Sequence, residues 1–310
     1  MIKDKILVTG ANGMLGRAVV RQFKAAQIEV EELTRAKVDL VDIYKTQSYF
    51  RKISPSLIVH CAAAVGGIKS SLANGSRYFI ENTRIDQSVL ISAKEVKVPK
   101  LIYVASSCMY PANVEHALKE EEVLSGPLEP TNEDYAISKI AGSRLTMAIS
   151  KEEKLDWKVY VPSNLFGPYD NFDLNHGHLL ASIIAKSIEA KHINSPYLEM
   201  WGSGTPKREF THVDDFARWI LESSNFLEKV PPILNVGYGK DFTVQEFYEK
   251  VLTSLDCSAQ IIPNLRMPNG NMRKLMDSSI ANSLGWSPKI DIDEGIESTI
   301  KWFIENRSGI

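Results

Sequence analysis

Along the first half of the chain, short apolar runs alternate with longer stretches whose apolar residues recur every three or four positions. Residues 6–9 (ILVT), 28–33, 57–62 (LIVHCA), 101–105 (LIYVA) and 158–161 read as strands. Most of these runs are almost wholly apolar, as strands covered on both faces are. Between them, residues 15–26, 44–52, 85–97 and 135–150 carry the helical period. Strand alternating with helix at this spacing predicts a parallel sheet with right-handed crossovers, a doubly wound α/β architecture.

After Pro162 the texture changes. Gly167-Pro168 breaks the pattern, and the stretch YDNFDLNHGH is polar and loop-like. Helices near 179–190, 214–223, 244–255 and the C-terminus, with strands near 198–201 and 233–236, predict a smaller α/β substrate-capping domain. The expected division is a Rossmann domain over 1–165, with a segment near 205–238 returning to its sheet, and a substrate-binding domain over 166–310.

The first strand runs into a helix through Thr9-Gly10-Ala11-Asn12-Gly13-Met14-Leu15-Gly16. Gly10 permits the tight turn, Gly13 lets the backbone approach a pyrophosphate, and Gly16 allows close helix–sheet packing. A diphosphate then meets free N–H groups at the helix N-terminus. Glycines at this junction of an alternating chain predict dinucleotide binding. At the tip of the second strand, VEELTR places Arg35 where it can pair the 2′-phosphate of NADP(H). Glu31 and Glu32 stand close by, and either at the tip would favour NAD through the ribose hydroxyls.

Tyr135 and Lys139 are four apart and so share one face of a helix. An ammonium beside a phenol favours the phenolate, which suits proton exchange with a carbonyl oxygen during hydride transfer. The strand LIYVA ends in Ser106-Ser107-Cys108, at the edge where doubly wound sheets bind ligands. A serine there can hydrogen-bond the same oxygen. Lys207, Arg208, Arg273 and Lys274 flank a cleft and could clamp a diphosphate or simply be solvated.

Charge and composition remove alternatives. A formal net charge of −2 gives no reason to expect nucleic acid or an anionic membrane as partner. No apolar run approaches the ~18–20 residues of a membrane span, and MIKDKILVTG lacks a secretory pattern. Three widely spaced cysteines predict neither a disulfide framework nor a zinc site and point to a cytoplasmic protein. His176 and His178 lack a nearby third ligand, so no metal is expected.

Taken together, these residues resemble the extended short-chain dehydrogenase/reductase superfamily. More narrowly, SSCMYP, LEPTNEDYAISKIAG and WGSGTPKREFTHVDD resemble the GDP-L-fucose synthases within it. That resemblance implies an NADPH-dependent enzyme that epimerises GDP-4-keto-6-deoxy-D-mannose at C-3 and C-5 and then reduces C-4. It makes Ser106, Tyr135 and Lys139 the reductase triad and places Cys108 and His178 on the epimerisation acid/base pair, with His176 a rival. It implies cofactor contacts from Met14, Leu15, Ala62, Ala63 and His178 besides the glycines and Arg35, and from Asn12, which replaces an arginine of some relatives. Ser107, Asn164, Lys186, Trp201, Arg208 and Lys274 fall to the nucleotide-sugar. Ala64 stands where relatives can carry lysine. A homodimer through helices 85–97 and 135–150 is implied as well. Two other readings stay open: a reductase or epimerase–reductase of a related GDP-4-keto sugar (a dideoxy-hexose or heptose), and a non-catalytic NADP(H)-binding protein on the same fold.

Overall fold

In the computed structural model, residues 5–174, 177–267 and 269–306 are described, with the backbone alone for 68 and 69. The first half runs β1 (Ile6–Thr9), α1 (Met14–Ala25), β2 (Val30–Leu33), α2 (Ile43–Ile53), β3 (Leu57–His60), α3 (Ile68–Glu95), β4 (Lys100–Val104), α4 (Glu133–Glu153), β5 (Asp156–Pro162). It continues with β6 (Asn164–Phe166), α5 (Leu179–His192), β7 (Tyr197–Trp201), β8 (Lys207–His212), α6 (Val213–Ser224) and β9 (Ile233–Val236). The last elements are β10 (Asp241–Thr243), α7 (Val244–Ser254), β11 (Gln260–Asn264), β12 (Arg273–Lys274), α8 (Ser279–Ser283) and α9 (Ile292–Asn306). No described helix is long and apolar enough to cross a membrane.

The main sheet has the order β2-β1-β3-β4-β5-β9, and every pairing in it is parallel. Alternation along each strand sends its side chains to two different cores. Ile6, Val8, Leu57, Val59, Ile102 and Val104 face α1 and α6, packing with Phe23, Phe216 and Trp219. Leu7, Ile58, Leu101 and Tyr103 face the other way, onto Phe50, Val89, Leu90 and Ile140 of α2, α3 and α4. Each such fully buried side chain contributes about 1.5–3 kcal/mol. The doubly wound architecture read from the sequence is thus the observed one. A third apolar cluster gathers α5, α7 and α9 around Leu180, Ile184, Phe247 and Ile296.

Two elements differ from expectation. The helix expected over 85–97 begins at Ile68 and bends at Asn74, whose φ of −135° leaves the helical range. The Asn74-Gly75 pair reads locally as a turn. Here it is a kink that lets Gly75 lie against Asp134, where a side chain would collide. The basic run at 207–212 is a strand, β8, at the centre of a small sheet with β6, β10 and β12. Of the 205–238 segment, β8 lies in this small sheet, α6 packs on α1, and β9 edges the main sheet.

Glu209, inside β8, is buried and ties three segments together. Its carboxylate accepts from the backbone N–H of Gly239 (2.6 Å) and of Met276 (2.8 Å), and a side chain at Gly237 would strike it. Burial pushes this carboxyl up to about 7 from an ordinary 4.5, against the pull of the backbone hydrogen bonds. Between those values the folded chain keeps a proton that the unfolded chain has released. Its contribution to stability is therefore full below pH 4.5 and lost as pH rises through about 7. Glu209→Gln, which has no such proton to lose, should flatten the fall in melting temperature between about pH 5 and 8, measured calorimetrically. An identical pH dependence in wild type and variant refutes this assignment.

Candidate active site

The carboxyl ends of β1, β3, β4 and β5 meet the small sheet and α5 around one cavity of about 780 Å³. The catalytic, cofactor and substrate residues that the resemblance implies line it, with two exceptions. Asn12 lies off the wall, exposed on the loop, its carbonyl accepting from Arg17 Nε at 2.9 Å. His176 lies outside the described residues.

At the cofactor end, the order in which strands are added reverses between β1 and β3, the switch point where open α/β sheets bind ligands. Gly10 has a φ of +64°, and a Cβ on it would sit 2.8 Å from the Ala62 backbone. A Cβ on Gly16 would run into the Gly10 carbonyl. These two glycines are required by the protein's own packing. Gly13 is different: a Cβ there would touch only the Gly10 oxygen, at an ordinary 3.4 Å. It caps α1 without a side-chain hydrogen bond, leaving the first-turn N–H groups facing the cavity, as a diphosphate would need. Arg35 stands just past β2 at the rim, 3.4 Å from Glu81 and 3.7 Å from Asp39. Glu31 is bound by Lys37 and Tyr49 and Glu32 by Lys24, and neither lines the cavity.

Ser106 lies just past β4 and caps a short turn over 107–109, accepting from the Cys108 N–H. Tyr135 enters from the first turn of α4, and Lys139, buried one turn on, donates to the Val104 carbonyl at 3.0 Å. The helical spacing anticipates a tyrosine lowered by its lysine. Instead, burial raises the Tyr135 phenol well above its ordinary value, with Cys108 adding to the effect and the Ser106 hydrogen bond opposing it. A phenol in that state keeps its proton at neutral pH, the form a general acid needs.

Cys108 and His178 line the same cavity from different elements. The Cys108 sulfur accepts from Asn132 Nδ2 at 3.2 Å and from Lys274 Nζ at 3.7 Å, so its direction is fixed. His178 caps α5, its Nδ1 3.0 Å from Asp170 Oδ1. Burial would lower this imidazole, yet the Asp170 hydrogen bond and charge prevail and raise it. Asp170 and Asn132 were not anticipated, since each is one polar residue in a polar loop. Only the fold brings them to His178 and to the sulfur.

At the far end, strand alternation sorts the basic residues. Lys207 pairs with Arg273 and Arg208 with Lys274 across β8 and β12. Arg208 and Lys274 face the cavity, while Arg273 turns away to Asp241 and the Glu115 carbonyl and Lys207 lies outside the wall. Lys186 sits 4.9 Å from the centre of the Trp201 ring, a cation over an aromatic face. Asn164 is held by the Glu209 carbonyl at 3.0 Å.

Residues 6–237 match the model of the NAD dependent epimerase/dehydratase family. The chain belongs to that family. Within it, the chain is 34% identical over 305 residues to the GDP-L-colitose synthase of Yersinia pseudotuberculosis, covering 98% of this chain and 99% of that one. It is 36% identical to the GDP-L-fucose synthase of Azorhizobium caulinodans, covering 97% and 96%. Among solved structures, a GDP-mannoheptose C4 reductase of Campylobacter jejuni with NADP bound matches with a TM-score of 0.89. It is 26% identical and covers 98% of this chain and 99% of that one. These relatives are matched over 97–98% of this chain, well beyond residue 237 where the family model ends.

Proposed function

We propose that this protein is an NADPH-dependent epimerase–reductase that converts GDP-4-keto-6-deoxy-D-mannose to GDP-L-fucose. The observation that carries it is the presence, in one cavity, of the Ser106–Tyr135–Lys139 group together with a Cys108 and a His178 each held by its own partner. Residues 1–165, with the 205–238 return, serve the cofactor, and 166–310 serve the sugar nucleotide. Unpaired cysteines support work in the cytoplasm.

The loop fits a dinucleotide: Gly10, Gly13, Gly16 and the first turn of α1 would hold its diphosphate, flanked by Met14, Leu15, Ala62 and Ala63. Arg35 would take the 2′-phosphate, its present ion pairs being long, exposed and therefore weak. NADPH, when bound, supplies the hydride for C-4. Arg208 and Lys274 would clamp the substrate diphosphate and Lys186 and Trp201 its base, with Ser107 and Asn164 lining the sugar site. A ketone at C-4 acidifies C-3 and C-5, so Cys108 and His178 can withdraw a proton from one face and return one to the other. Tyr135 then gives its proton to the C-4 oxygen, which Ser106 also hydrogen-bonds.

A second reading, a related GDP-4-keto sugar, draws support from the relatives' names, which include a colitose synthase and a mannoheptose reductase. Turnover of NADPH with GDP-4-keto-6-deoxy-D-mannose in D₂O should place deuterium at C-3 and C-5 of a fucose product. The Cys108→Ala, His178→Ala pair should stop that exchange; exchange at the wild-type rate in the double variant sinks their assignment. NADPH oxidation without deuterium selects a pure reductase, and no oxidation selects another sugar.

For the cofactor, Arg35→Ala should raise the KM for NADPH about tenfold or more and leave NADH unchanged, as loss of a charge-assisted contact implies. Equal effects on both cofactors would remove Arg35 from the phosphate. The homodimer is proposed through α3 and α4, which pack together and leave Ile91 and Ile137 39% and 40% exposed. Sedimentation should give a dimer for wild type and a monomer for Ile91→Asp, Ile137→Asp; a wild-type monomer refutes it.

A further inference from the structure

Beneath the cavity, between the main sheet and α3 and α4, lies a closed polar network. Asp86 of α3 is 2% exposed. One of its oxygens is 3.1 Å from His60 Nε2, and the other accepts from the Tyr103 hydroxyl at 2.6 Å. His60 Nδ1 lies 2.7 Å from the Thr9 hydroxyl, whose oxygen accepts the Ala62 N–H. This orders the hydrogens: Thr9 donates to Nδ1, and His60 donates from Nε2 to Asp86. On the other side, Lys139 Nζ sits 4.6 Å from the centre of the Tyr103 ring. Gly142, one turn past Lys139, admits the approach, since a side chain there would strike both the Tyr103 hydroxyl and Asp86.

An ammonium this buried needs a negative partner. The groups facing Lys139 are Asp86 from α3, Tyr103 from β4, His60 and Cys61 from the end of β3, and Tyr135 from its own helix. Burial pushes the Cys61 thiol up to about 12, raises both tyrosines and lowers His60, so all four are neutral at neutral pH. Asp86 alone is charged. Burial opposes its ionisation, but Lys139 and the hydrogen bonds from His60 and Tyr103 prevail and hold it below the usual carboxylate range.

We propose that Asp86 is the buried counter-ion of Lys139 and thereby a positioning residue for reduction, fixing the charge beneath Tyr135 through a network that also anchors the start of the cofactor loop. This rests on the reading of Tyr135 and Lys139 as the reducing pair. The anion keeps Lys139 cationic and keeps the Tyr135 proton in place. Removing it lowers the pKa of both groups, so whichever one sets the alkaline limb of the kcat profile, that limb moves to lower pH.

The test is Asp86→Asn, which keeps the shape and removes the charge. The limb should move down by about one pH unit, so that kcat compared at pH values above both limbs falls roughly tenfold, with the KM for NADPH within about twofold. A limb that stays in place while kcat and melting temperature fall makes Asp86 a packing residue and overturns the proposal. Should the variant not fold, the Asp86 carboxyl ¹³C shift in the wild-type protein, assigned by triple resonance, decides. A carboxylate signal throughout about pH 5–8 is expected; a protonated acid at neutral pH overturns it. Lys139→Met that still reduces C-4 overturns the underlying reading instead.

Discussion

A parallel sheet covered on both faces has no room for chemistry along its length, and this constraint organises the molecule. Ile6, Val8 and Leu7 on one strand, like Leu101 and Ile102 on another, are committed to one apolar core or the other. Polar function is therefore forced to the carboxyl edge, where the strands stop and loops begin. At that edge β1 and β3 lie side by side, and their following segments approach so closely that Gly10 has no space for a Cβ against Ala62. The crevice they open is where the glycine loop, Ser106 and the first turn of α4 all arrive.

The opposite wall depends on a different device, one strand used on both of its faces. In β8, Arg208 and Phe210 point into the cavity while Glu209 points into the protein. The buried carboxylate fastens the segment after β9 and the chain just after β12, and β12 carries Lys274 beside Arg208. On the proposed reading, a cation pair for a diphosphate is thus positioned by a buried carboxyl group that never meets it. Lys274 in turn reaches the Cys108 sulfur, so the proposed grip on the nucleotide and the direction of the thiol share a residue.

What the sequence disclosed and what it concealed follow from range. Local periodicity was enough for the main sheet, because residues such as Ile6–Thr9 and Ile233–Val236 carry their burial in their composition. It missed β8, where charged residues alternate with buried ones, and the first half of α3, where Asn74-Gly75 imitates a turn. The proposed site was legible wherever its reading depends on spacing within one element, as at Gly10–Gly16 or Tyr135–Lys139. Partnerships between distant segments were not: Asp170 with His178, Asn132 with Cys108, and Asp86 with Lys139 leave no local pattern. The direction of the Tyr135 shift belongs to the same class, since its largest cause is the loss of water around the phenol, which spacing cannot report.

On the proposed reading, one cavity runs two proton chemistries with opposite requirements, and their environments differ accordingly. The acid for C-4 should hold its proton until the carbonyl oxygen takes it, and loss of water raises the Tyr135 phenol well above its ordinary value. The groups for C-3 and C-5 should exchange protons readily, and His178 is half-exposed, with Asp170 compensating the loss of water. Order between the steps needs no gate. Acidity at C-3 and C-5 exists only while C-4 is a ketone, so reduction ends exchange by removing its cause. The protein has only to hold both sets of groups around one ring, and a sheet edge facing a two-sided strand is sufficient for that.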